Sequence, residues 1–102
     1  MPKLICKQVM FYSENDELMF FEWISRIKGI KRWQGVSDEI HLYLPKSTVS
    51  ATCLKDLIAL FYRYKINMRQ LQQFANTRNK QWYMDKNKYW YEEVFGNPKI
   101  QP

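Results

Sequence analysis

The segment Leu4–Tyr12 (LICKQVMFY) most constrains what this chain can fold into. It is short, rich in β-formers and nearly all apolar, which predicts a strand buried on both faces and central in its sheet. Such a strand needs cover above and below, and the rest of the chain offers helices for it. Ser13 ends the run and can cap a helix, with Glu14, Asp16 and Glu17 suited to its positive end. Phe20, Trp23, Ile24 and Ile27 then recur at helical spacing as an inward stripe. Leu18, Met19 and Phe21 widen the stripe, which predicts a helix covered on more than one side. Gly29 is placed to close it as the residue after the cap.

Ile30–Val36 predicts a second strand, Gly35–Asp38 a turn, and Glu39–Leu44 a third strand of clean alternation. Ile40, Leu42 and Leu44 point one way; Glu39, His41 and Tyr43 point to a wet or partner-covered face. Ser50 can cap a long helix with the stripe Leu54, Leu57, Ile58 and Phe61. Asn67 opens a shorter helix with Met68, Leu71, Phe74 and Ala75 inward. Residues 76–91 are irregular, basic and aromatic, Lys88–Phe95 predicts a last short helix closed by Gly96, and 97–102 read as a flexible tail. The expectation is one compact α+β domain over residues 1–102. Its small three-stranded sheet, in β-α-β-β-α-α-α order, has the first helix on one face and the C-terminal helices on the other.

Charge narrows the partners. Sixteen Lys and Arg against ten Asp and Glu give a formal +6 over 102 residues. The second half carries most of it: nine basic and four acidic side chains over residues 51–102, against seven and six before. A positive field of this size suits an anionic partner, although it also serves solubility alone. No apolar run approaches the roughly 20 residues of a membrane span, and the N-terminus lacks the pattern of a secretory signal, so a cytoplasmic protein is expected. Cys6 and Cys53 lie in apolar segments and read as buried free thiols. With one histidine, they cannot make a closed zinc site without a carboxylate.

Catalytic signatures are missing from the sequence. There is no nucleophile elbow and no glycine-rich phosphate loop. His41 with Glu39 on one strand face is the only acid–base pairing. No catalytic residue, cofactor or metal is therefore expected. Binding is the better class. Two surfaces are candidates: the strand face with His41 and Tyr43, joined by Trp33 or Lys31, and the C-terminal stretch with Trp82, Tyr83 and Lys86. Bases interleaved with rings suit single-stranded nucleic acid, and the same side chains enrich protein–protein interfaces. Rings that simply seal the core are the plainer alternative for Trp82 and Trp90.

The stretches FYSENDELMFFEWI, DLIALFYRYKINMRQL and NKYWYEEVFG, spread over about residues 9–96, resemble immunity proteins of contact-dependent growth inhibition and related polymorphic toxin systems. The resemblance implies a cytosolic, non-enzymatic inhibitor that binds one cognate toxin domain, often a nuclease. Nuclease inhibitors are commonly acidic, matching a basic cleft. This chain is basic, so either the toxin offers an acidic surface away from its nucleic-acid cleft, or the acids Asp16, Glu17 and Glu22 of the first helix form the docking patch. The alternative class is a small basic nucleic-acid-binding regulator.

Overall fold

The computed structural model describes residues 2–96 and has the expected α+β architecture. Strand β1 (Lys3–Lys7) is followed by helix α1 (Glu14–Arg26) and the strands β2 (Arg32–Val36) and β3 (Glu39–Tyr43). Helix α2 (Ala51–Tyr64), a 3-10 helix (Met68–Phe74) and two short helices, α3 (Lys80–Tyr83) and α4 (Tyr91–Phe95), complete the described chain. The expected tail at 97–102 lies outside the described residues.

The sheet is antiparallel in the order β1-β3-β2. The alternating strand β3 is thus the central one, and β1 is an edge, contrary to the reading of Leu4–Tyr12 as a central strand. The apolar run is also too long a measure of that strand. Gln8 turns into a left-handed conformation (φ 50°) and ends the pairing. Beyond it, Phe11 becomes part of an aromatic cluster with Phe20, Phe21 and Tyr64, its centroid 5.3 Å from that of Phe20. Apolar continuity here reflects packing at the end of the sheet rather than burial of two strand faces.

Leu4, Cys6, Leu42 and Leu44 are fully buried and face the helices. The opposite face carries Lys3, Lys7, Arg32 and Gln34, all exposed, and none of its side chains joins the buried core. The helices therefore sit on one side of the sheet, and among the described residues the expected C-terminal cover on the other side is not found. The β2–β3 turn is the two-residue loop Ser37–Asp38, with Ser37 in a left-handed conformation (φ 58°). Gly35 lies within β2 and not in the turn.

The helix caps follow the sequence. The hydroxyl of Ser13 accepts from the Asp16 N–H at 3.1 Å, and that of Ser50 from the Cys53 N–H at 3.0 Å. Each such cap contributes about 1 kcal/mol. Gly29 is not a helix cap, because α1 ends earlier, at Arg26, with Ile27 as its capping residue. Its role is close approach: a Cβ there would stand 2.3 Å from Sγ of Cys53, so α2 could not pack so near. Lys65 ends α2 in a left-handed conformation. The next element buries Met68, Leu71 and Phe74, three residues apart. That is the period of a 3-10 helix, and this segment forms one where an α-helix was expected.

Candidate functional site

Tyr83, singled out by its sequence context as a partner contact, is fully buried. Its hydroxyl donates to the Leu71 carbonyl at 2.6 Å. Trp90 is buried beside it and donates its indole N–H to the Tyr83 carbonyl at 2.8 Å. The buried Asn79 donates to the Phe74 carbonyl at 2.8 Å and accepts from the Asn76 N–H. A 2.7 Å bond from the Gln72 amide to the Val94 carbonyl ties α4 back to the 3-10 helix. The irregular stretch is thus a lid over the core, with its polar groups satisfied from side chain to backbone. Trp82 is half-buried against that core, with the Lys55 ammonium 5.1 Å from its ring centroid. Lys86 alone of the three C-terminal candidates is exposed. Burial pushes the Tyr83 phenol well above its usual range.

The strand face also departs from expectation. His41 is buried, flanked in register by Ile5 and Gln34. Its Nε2 lies 2.8 Å from Oε1 of Glu39, whose other oxygen is 3.9 Å from the Lys7 ammonium. Tyr43 is half-buried, with the Arg32 guanidinium 3.9 Å from its ring centroid. Arg32, rather than Trp33 or Lys31, is therefore the β2 side chain that joins this face. Trp33 stands opposite Leu42 on the other face and stacks on Phe21, with centroids 4.6 Å apart. The charged and aromatic side chains of this face are paired with one another. Among the described residues, no group of three or more His, Cys, Asp or Glu side chains is placed to hold a metal ion. No helix among them is long and apolar enough to cross a membrane.

Large apolar side chains stand exposed where the sequence predicted cover. Leu18 and Met19 of α1 are 61% and 58% exposed, and Tyr12, just before the helix, is 82% exposed. Of the three residues thought to widen the buried stripe, only Phe21 is partly covered. This surface is acidic at its margins: α1 carries Glu14, Asp16, Glu17 and Glu22 against one base, Arg26. Asp16 is not free for docking. Its carboxylate accepts from the Tyr64 hydroxyl at 3.1 Å and the Tyr12 N–H at 2.9 Å, fixing α1 to α2. Glu22 pairs with Arg26 at 2.9 Å on the surface. Glu14 and Glu17 remain as exposed acids beside Leu18. The signal for this patch was present in the sequence. Acids interleave with Leu18 and Met19 on turns where a covered helix would place apolar or small residues.

Both cysteines are free and buried. Burial pushes the Cys6 thiol up to about 12 and raises that of Cys53 as well. Comparison with known proteins gives no match to a family model, to a curated protein or to a solved structure.

Proposed function

We propose that this chain is a cytosolic immunity protein, which acts without catalysis by binding and neutralising a cognate toxin domain. The observation that carries the reading is the outer face of α1. Large apolar side chains standing in water on a helix mark an interaction surface, because monomeric proteins seldom leave them together. Glu14 and Glu17 give that surface the opposite sign to the rest of the molecule. A local acidic and apolar face suits a basic partner, and a nuclease whose cleft binds phosphates is such a partner. The conflict between a net charge of +6 and nuclease inhibition is thereby confined to the parts of the surface away from α1.

A nucleic-acid-binding regulator is the second reading, favoured by the net charge and by Lys55 and Lys88 near the rings of Trp82 and Trp90. It has less support, since Tyr83 and Trp90 are buried and cannot stack on bases. The test is to read the adjacent upstream gene and, where it encodes a large exported protein, to co-express its variable C-terminal domain with this chain; a metabolic gene there counts against the proposal. Relief of the growth arrest caused by that domain is expected. Arrest that persists while the chain is present and folded would refute the proposal.

A further inference from the structure

The two edges of the sheet are finished differently. On β1, the outward N–H and C=O of Ile5 are both taken by the side-chain amide of Gln70, at 2.8 Å each. That amide acts as a one-residue strand at the middle of the edge, and the exposed Lys3 and Lys7 flank it with like charges that guard the rest. On β2, the outward groups belong to Trp33 and Gly35. Flanking bonds from the Leu44 N–H to the Pro2 carbonyl and from the Gln8 N–H to the Asp38 carbonyl set the alternation on the β1 side of β3. His41, Tyr43 and Glu39 therefore turn their backbone groups to β2 and pair with Gln34, Arg32 and Val36. Trp33 and Gly35 are left facing outward. Among the described residues no bond from another segment reaches either of them. All five residues of β2 are exposed, and Trp33 keeps 44% of its surface open despite its stacking on Phe21.

Charges of one sign along an edge would repel a second strand. This edge carries both signs, one at each end. Lys31 and Arg32 begin it, and Asp38 and Glu39 follow it. Run antiparallel to itself, the segment matches its own charges.

We propose that β2 pairs antiparallel with β2 of a second copy of this chain, about a two-fold axis through Gln34, to make a six-stranded sheet. In this register Trp33 stands opposite Gly35 of the other copy, and the two residues with free backbone groups satisfy each other. Gly35 has open space where a Cβ would lie, which leaves room for the indole across it. Arg32 comes diagonal to Asp38 of the other copy, within reach of a long side chain. The hairpin tip Ser37–Asp38 is brought to the groove between the end of α1 and the start of β2. That groove, about 360 Å³, is lined by Ile24, Ser25, Ile30, Lys31, Arg32 and Trp33, so an acidic tip meets a basic and apolar recess. A shift of two residues in either direction moves the indole off the glycine and the acid off the arginine.

Sedimentation of the wild-type chain and of Gly35→Pro, with oxidative cross-linking of Gln34→Cys and Val36→Cys, tests the pairing. The wild type should sediment at twice the 12.5 kDa chain mass. Gly35→Pro removes an outward N–H, adds a ring where a Cβ meets open space, and should sediment as a monomer with an unchanged circular dichroism spectrum. Gln34→Cys, at the axis, should form a covalent dimer, because cross-strand neighbours there approach within disulfide reach. Val36→Cys, well off the axis, should not. A wild type that stays monomeric across the accessible concentration range would overturn the proposal. So would Gln34→Cys that fails to cross-link in a dimeric protein, or Val36→Cys that links equally well. Should Gly35→Pro unfold, Trp33→Lys replaces it, and a dimer that survives that change counts against the pairing.

Discussion

Residues 76–95 and helix α1 carry the same kinds of large apolar side chain and place them oppositely. In the C-terminal stretch Tyr83 and Trp90 turn inward while Tyr89 stays exposed, and the polar atoms of the buried pair find backbone carbonyls: Tyr83 reaches Leu71, and Trp90 reaches Tyr83. On α1, Leu18 and Met19 turn outward although the helix buries Phe20 and Ile24 one step further round. Residue type does not separate the two cases. A ring with a hydrogen-bonding handle can be buried when a backbone carbonyl is in reach, here that of Leu71 within the 3-10 helix for Tyr83 and that of Tyr83 at the end of α3 for Trp90. The sheet edges repeat the lesson, since an amide from the 3-10 helix satisfies Ile5 on one, and among the described residues no side chain bonds the outward groups of the other.

Alkali should break the buried side of this comparison most completely. Cys6 and Tyr83 are neutral when protonated, and burial raises both above their unfolded values, Cys6 from 9.0 to about 12. Their contribution to stability is full below the unfolded values and is lost as pH rises through the interval up to the folded ones. Thermal melts should therefore fall progressively above about pH 9, and the ultraviolet signal of Tyr83 ionisation should appear only together with loss of helix. A melting temperature unchanged up to pH 12 would contradict the burial of both groups.

Truncation of Tyr83 comes next. Tyr83→Ala removes a fully buried ring and should cost about 3–5 kcal/mol in a urea melt. Tyr83→Phe removes only the bond to Leu71 and should cost about 1–3 kcal/mol. Gln70→Ala should cost a comparable 1–3 kcal/mol or so, because it strips both outward backbone groups of Ile5 of their partner. Amide exchange at Ile5 should accelerate in that variant, whereas Trp33 and Gly35 should exchange at an unchanged rate. Smallest of all is the expected change in stability for Leu18→Lys, within about 0.5 kcal/mol, since the side chain already stands in water.

Local signals in the sequence were enough for much of the fold. Ser13, Ser50 and Asn67 cap as their side chains dictate, and the stripe Leu54, Leu57, Ile58 and Phe61 is buried as spaced. The alternation of Glu39–Leu44 assigns inner Leu42 and Leu44 correctly. What failed was non-local. Strand order is a matter of which distant segments pair, and nothing within Leu4–Tyr12 records β3 as its partner on one side or Gln70, sixty-five residues away from Ile5, on the other. His41 has the outward parity its position implies and is nonetheless buried, because its neighbours Glu39, Ile5 and Gln34 close over it. For the same reason a polar and aromatic composition at 76–91 gave no sign that Tyr83 belongs to the core. Of the five proposed contacts, Tyr43, Trp82 and Lys86 retain accessible surface.

The account rests on the proposed role of α1 as a docking face, and isothermal titration against a purified toxin domain that the chain neutralises in co-expression tests it most directly. The wild-type chain should bind tightly, and the Leu18→Lys/Met19→Lys variant should keep its wild-type melt while losing at least about 2 kcal/mol of binding, roughly thirtyfold in Kd. An affinity equal to the wild type's in that folded variant would contradict it.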